Sequence, residues 1–273
     1  MSLKNLSRFT FIALVFFALI NCKAREKEPA EILEINELID LAEQYGKSGE
    51  LEKALLFAKR AYELDPTNKK VRIQLSKEYA TIGDKYLFQI NCDLAKEYSE
   101  KAIEIYKDND GANNVLASCA LFEKKYPDCI KYAKEEIRLE KLYNNVSGAP
   151  YHILGECYIG LRDYDKAINN LLNDLRIDGF NENQAYFNSI FSLGRIYFIK
   201  GDSDESVKYL KKFLNEYEGL KPEKLKELLN SANTETVRML DFIESGKKIG
   251  FPRGKEPAFY DDIIEILQKR QSK

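Results

Sequence analysis

From Leu38 onward the apolar positions return every three or four residues, the spacing of a helix with one buried face. Leu38, Leu41, Ala42 and Tyr45 share such a face, Gly46-Lys-Ser-Gly49 breaks it, and a second run of Ala54, Ala58, Ala61 and Leu64 closes at Asp65-Pro66. The same helix–turn–helix pattern recurs as Tyr151, Leu154, Gly155 and Tyr158, a turn at Arg162-Asp163, then Tyr164, Ala167 and Leu171. It recurs again as Ile190, Leu193, Gly194 and Tyr197, then Gly201, Ser206 and Leu210. Two looser copies stand between. Leu75, Ser76 and Tyr79 pair with Ala95, Ser99 and Ala102, and Leu116, Ala117 and Ala120 pair across Tyr126-Pro127 with Cys129 and Ala133. The return helix at Ala95 falls seven residues beyond a 34-residue period, two helical turns to be absorbed by longer helices. Gly155 set against Ala167, and Gly194 against Ser206, would let paired helices approach closely, while Leu154, Tyr158, Leu193 and Tyr197 fill the groove towards the next pair.

Those residues resemble the tetratricopeptide repeat (TPR) over about residues 35 to 220. The resemblance implies an all-α, right-handed α-solenoid of about five TPR-like helical hairpins at 35–68, 69–109, 110–143, 148–181 and 187–220, within an array spanning 32–220. Such repeats bury their apolar faces only against neighbours, so the array should end in a cap. Residues 221–273 are read as C-terminal capping helices and a tail. Pro222 opens a helix with apolar stripes at Leu225, Leu228, Leu229, Val237, Leu240, Phe242 and Ile243, and Gly246 stops it. After a link rich in Gly and Pro, Phe259, Ile263, Ile264, Ile266 and Leu267 predict a last amphipathic helix that folds back on the array.

The first 21 residues differ in kind. Lys4 and Arg8 precede an apolar run from Phe9 to Ile20, and no acid occurs before Glu26, the layout of a signal peptide. Twelve apolar residues reach only about 18 Å as a helix, short of the ~30 Å of a membrane core. The run ends at Leu19-Ile20-Asn21-Cys22, which resembles the lipobox of bacterial lipoproteins in the relaxed form, with Asn before Cys, of spirochaetal ones. The resemblance implies that Cys22 carries lipid, and diacylation suffices for stable anchoring. Residues 22–31 then form the lipidated Cys and a charged tether of at most about 30 Å. This expectation places the body on a bacterial cell-envelope membrane, on the periplasmic side in preference to the cell surface.

Composition narrows the chemistry. With 42 Lys plus Arg against 44 Asp plus Glu, and fewer bases once Lys4 and Arg8 are removed, there is no basic field for nucleic acid. His152 is the sole histidine, which excludes a two-histidine metal site. No phosphate loop is present, Gly201-Asp-Ser-Asp-Glu205 reads as a helix cap, and the chain is read as having no catalytic residues, metal or cofactor. Cys92, Cys119, Cys129 and Cys157 allow three pairings. Cys119 with Cys129 is the most plausible pair, but Cys129 occupies the small-residue contact and is favoured as a buried free thiol.

In the TPR family the first helix of each unit faces a concave groove. Carried onto this chain, the resemblance implies a partner-binding groove of Asn114, Ser118, Phe122, His152, Glu156, Phe191, Arg195 and Phe198, with polar groups for main chain beside aromatic anchors. The function expected is therefore a lipid-anchored, non-enzymatic scaffold for a protein or peptide partner in envelope assembly or maintenance. A surface-exposed lipoprotein binding an external or host ligand is the alternative.

Overall fold

The computed structural model describes residues 29–178, 184–221 and 223–245. The signal segment, Cys22 and the tether as far as Glu28 lie outside the described residues, as do Pro222, Gly246 and the amphipathic stretch from Phe259 to Leu267. Among the described residues there are eleven α-helices and no strand: α1 (Pro29–Lys47), α2 (Leu51–Leu64), α3 (Lys69–Phe88), α4 (Cys92–Ile105), α5 (Asp110–Phe122), α6 (Tyr126–Leu142), α7 (Ala149–Gly160), α8 (Tyr164–Asp178), α9 (Gln184–Lys200), α10 (Ser203–Glu218) and α11 (Glu223–Glu244). The all-α class expected from the apolar spacing is the one observed. None of the described helices is long and apolar enough to cross a membrane.

Two compact units divide the chain, the first ending at Val71 and the second beginning at Arg72. In the first, Ile35 and Leu38 of α1 pack with Ala61 of α2 and Val71, and the rings of Tyr45 and Phe57 stack 5.4 Å apart. Among the described residues, the second holds four hairpins followed by α11. Its largest core runs from Ala117 to Phe242, with Phe187, Phe198, Phe213, Leu171 and Leu210 fully buried. The α11 helix closes this core through Leu229, Met239, Leu240 and Phe242, while Leu228 and Val237 on its other side are exposed.

The hairpin turns share one geometry. Gly49, Ile90, Lys124, Arg162 and Gly201 each adopt positive φ, between 57° and 84°. In each, the residue after the left-handed one donates its N–H to the carbonyl five residues back, as Asn91 to Tyr86 and Asp163 to Tyr158, both 2.9 Å. That bond satisfies a carbonyl the helix end would otherwise leave open. Helix starts are capped by side chains where the sequence offers them. Asn91, Asn109 and Asp202 accept from Leu94, Ala112 and Glu205 N–H at 3.2, 2.7 and 3.2 Å, so the Gly201–Glu205 segment is a cap. Asn109 also donates to Ser76 Oγ at 2.7 Å, and Ser76 donates to the Ala102 carbonyl at 2.7 Å, fastening α3, α4 and α5 through buried polar groups.

Close approach within hairpins follows the small residues. A Cβ on Gly155 would lie 2.7 Å from Leu171 Cδ2, and one on Gly194 would lie 2.6 Å from Leu210 Cδ2 and 3.3 Å from its backbone nitrogen. The main obstacle is thus a leucine one turn beyond the expected Ala167 and Ser206. Ser206 serves differently, donating its hydroxyl to the Gly194 carbonyl at 3.0 Å.

The cysteines differ from expectation. Cys129 of α6 is joined to Cys157 of α7, with Cα atoms 6.2 Å apart, while Cys92 and Cys119 are free. The small-residue contact that made Cys129 look like an isolated thiol also lies within bonding reach of the next hairpin's first helix. The bond therefore ties one hairpin to its successor rather than the two helices of one hairpin. Closing a loop of 28 residues stabilises the second unit by about 3.5 kcal/mol on chain-entropy grounds.

Two substitutions of opposite sign test this packing. Gly194→Ala gains roughly 1 kcal/mol of helix preference but forces overpacking against Leu210, which typically costs about 1–3 kcal/mol; a net loss of about 1 kcal/mol is expected in denaturant unfolding. Arg162→Gly relieves a left-handed side-chain residue on an exposed turn and should raise stability by about 1 kcal/mol. A loss on Arg162→Gly would contradict the turn geometry.

Candidate functional site

In the second unit the first helices of successive hairpins share a cavity of about 480 Å³. Asp84, Leu87 and Phe88 come from α3 and Ile90 from the turn after it; Asn114, Ser118, Leu121 and Phe122 come from α5; Ala149, His152 and Ile153 come from α7; and Gln184, Ala185 and Asn188 come from α9. The wall from α3 exists because that helix has 20 residues where α5 has 13, so its final turns run on and carry Leu87 and Phe88 to the cavity. Phe88, Ile90 and Phe122 are 71%, 75% and 61% exposed, an unusual gathering of large apolar side chains at one place on a surface. Asp84 and Asn114 also belong to a second cavity of about 310 Å³, lined in addition by Thr81, Asp110 and Glu136.

Of the eight residues expected to form a groove, Asn114, Ser118, Phe122 and His152 converge on the larger cavity. The other four do not line it. Phe198 is fully buried against Phe242, with ring centroids 5.8 Å apart, and Phe191 packs 5.9 Å from Phe213. Both aromatic positions on α9 are taken up by α10 and α11, elements whose packing the repeat spacing of α9 does not reveal. Arg195 is also buried; it lies 3.3 Å from Glu156 Oε2 and over the Phe191 ring at 5.7 Å. Ser192 Oγ donates to the other oxygen of Glu156. Glu156, Ser192 and Arg195 therefore form a bracket between α7 and α9. His152 combines both roles, lining the cavity while its Nδ1 shares a 2.8 Å hydrogen bond with Ser189 Oγ of α9.

Sequence reasoning missed the contribution of α3, although the signal was present: seven extra residues in the second repeat are the two added turns. It also missed a pair of buried carboxylates one turn apart on α6. Glu140 is satisfied, accepting from Ser147 N–H at 3.0 Å and Ser147 Oγ at 2.6 Å. Glu136, only 5% exposed, accepts from Asn114 Nδ2 at 2.9 Å through Oε1, and its buried Oε2 has no hydrogen-bond partner. Burial raises the Glu136 carboxyl to about 8; the Asn114 amide opposes the shift, and the charges of Glu140 and Asp110 add to it. Among the described residues, no cluster of three or more Asp, Glu, His or Cys is placed to hold a metal ion.

Residues 187–218, which span most of α9 and α10, match the tetratricopeptide-repeat sequence model. No curated protein matches the chain. Among solved structures, PilW, a widely conserved type IV pilus biogenesis factor, is similar with a TM-score of 0.50 and 16% identity over 79% of this chain and 94% of its own. The MamA RS-1 ArsTM double mutant reaches 0.50 at 16% identity over 67% of this chain and 93% of its own. A thermophilic TPR protein of Thermus thermophilus reaches 0.45 at 18% identity over 73% of this chain and 99% of its own. These likenesses are of fold.

Glu136 gives the fold a pH dependence of definite sign. Unfolded, the carboxyl ionises near 4.5; folded, it holds its proton up to about 8. Its contribution is fully present below about 4.5 and is lost as pH rises through 8, a change on the order of a few kcal/mol. Glu136→Gln should flatten the fall in Tm between about pH 5 and about pH 8, measured by circular dichroism; an unchanged slope would show that this carboxyl ionises freely in the fold.

Proposed function

We propose that this chain is a non-enzymatic scaffold that seats an extended segment of a protein partner in the cavity between α3, α5, α7 and α9. The observation that carries the reading is the meeting there of exposed Phe88, Ile90 and Phe122 with Asn114, Ser118, His152 and Gln184. Apolar rings supply burial for a partner's side chains, while amide, hydroxyl and imidazole groups match the donors and acceptors of a main chain. Stacked helical hairpins commonly serve partner binding through such shared surfaces. Under the same proposal, lipid on Cys22 holds the scaffold at a cell-envelope membrane, and the short charged tether keeps it near that surface. Its work there is recruitment in envelope assembly or maintenance.

The two halves of this proposal separate experimentally. A photocrosslinking residue placed at Ser118 in living cells should capture a discrete partner. Phe122→Asp, at an exposed position where folding should change by less than about 0.5 kcal/mol, should reduce capture about tenfold or more. Equal capture by wild type and variant would remove the cavity from the reading. Independently, Cys22→Ala should move the chain from the membrane fraction to the soluble fraction; retention in the membrane fraction would remove the lipid anchor while leaving the groove.

A further inference from the structure

Asp84 and Asn114 stand at the boundary between the larger cavity and the smaller one and line both. The walls change character across that boundary, from Phe88, Ile90 and Phe122 on one side to Asp84, Asp110 and Glu136 on the other. Among the described residues, no basic side chain lines the smaller cavity. Glu136 on α6 accepts from Asn114 on one oxygen, and its other oxygen is buried without a hydrogen-bond partner. From α5 it is faced by Asp110 and Asn114, from α3 the cavity adds Asp84 and Thr81, and on its own helix the charge of Glu140 acts on it. A buried carboxyl with an incomplete set of hydrogen bonds among further acids, with apolar walls next door, is complementary to a cation on an apolar stem.

We infer that the smaller cavity is a subsite for the basic side chain, Lys or Arg, of a partner segment whose flanking apolar residues occupy the larger one. The inference rests on the peptide-binding reading above and specifies its ligand: the stem lies beside Asp84 and Asn114, and the charged head sits among Asp84, Asp110 and Glu136. Because the empty fold keeps Glu136 protonated up to about 8, seating the cation below that pH expels one proton. Affinity should therefore rise with pH towards about 8 and then level off, since a lysine ammonium keeps its own charge to about 10.4.

Three labelled apolar peptides that differ only in a central lysine, glutamine or glutamate test this by fluorescence anisotropy on the full chain. At about pH 9 the lysine peptide should bind about tenfold more tightly than the glutamine peptide, and the glutamate peptide least well. At about pH 6.5 the lysine preference should shrink. Glu136→Gln should abolish the preference while keeping the affinity for the glutamine peptide, and Asp84→Asn with Asp110→Asn, outside the buried core, should reduce it several-fold. Equal binding of the lysine and glutamine peptides, a preference that survives Glu136→Gln, or cadaverine binding as tightly as the lysine peptide would overturn the subsite and leave the groove standing. Failure of all three peptides to bind would overturn the groove itself, and the subsite with it.

Discussion

The closeness of the two helices in each hairpin is the constraint on which the second unit depends. Where Gly83 lies over Ser99, Gly155 over Leu171 and Gly194 over Leu210, a single methyl would fall 2.6–2.7 Å from the neighbouring helix. Neither helix of such a pair has an apolar face wide enough to be stable alone, and a gap of even one methylene would forfeit much of their contact. Once the pairs are closed, large residues next to the glycines meet the following hairpin, and α5 packs on α7 as α7 packs on α9. The cavity is the surface these first helices share. Its position thus depends on contacts that never touch it.

Polar groups between hairpins fall into two kinds. Ser76, Asn109 and the Ala102 carbonyl close on one another, as do Glu156, Ser192 and Arg195. These brackets, with the Cys129–Cys157 bond, fix one hairpin against the next. Removing one member leaves the others buried and unsatisfied, which costs more than the bond itself contributed. Such groups resemble a binding face in sequence, because both kinds are polar residues on the first helix of a repeat. Only the partner supplied by the neighbouring helix tells them apart.

This explains what the sequence could and could not reveal. Ala54, Ala58 and Ala61, or Ala95, Ser99 and Ala102, mark buried helical faces by spacing alone, and all six are buried. The turn at Arg162-Asp163 and the cap at Asp202 were legible because their signals are local. Half of the candidate site was legible too, since Asn114, Ser118, Phe122 and His152 follow the repeat register onto the cavity. Phe191 and Phe198 share that register and are nevertheless buried, because α10 and α11 cover them. The Cys129–Cys157 pairing was hidden for a related reason: within-hairpin spacing is set by the turn, whereas spacing between hairpins is set by tertiary packing. The wall from α3 was written as an irregularity in the period, and its meaning depends on which helix lengthens.

Glu136 and Glu140 sharpen the distinction between packing and binding, because they share a helix, a degree of burial and a residue type. Both are 5% exposed. Burying a carboxyl without partners is unfavourable enough that folded chains usually complete its hydrogen bonds. For Glu140 the fold does so, with two bonds from Ser147. For Glu136 it does so on one oxygen only, and it surrounds the site with further acids that make ionisation harder. A contact needed only for packing would be served better by an apolar side chain, as at the other buried positions of this helix, Cys129, Ala133, Ile137 and Leu139. An incomplete carboxyl beside a cavity is instead an arrangement whose energy improves when a cation arrives. That improvement is available only to the occupied state, which is how a cost carried by the empty fold becomes selectivity in binding.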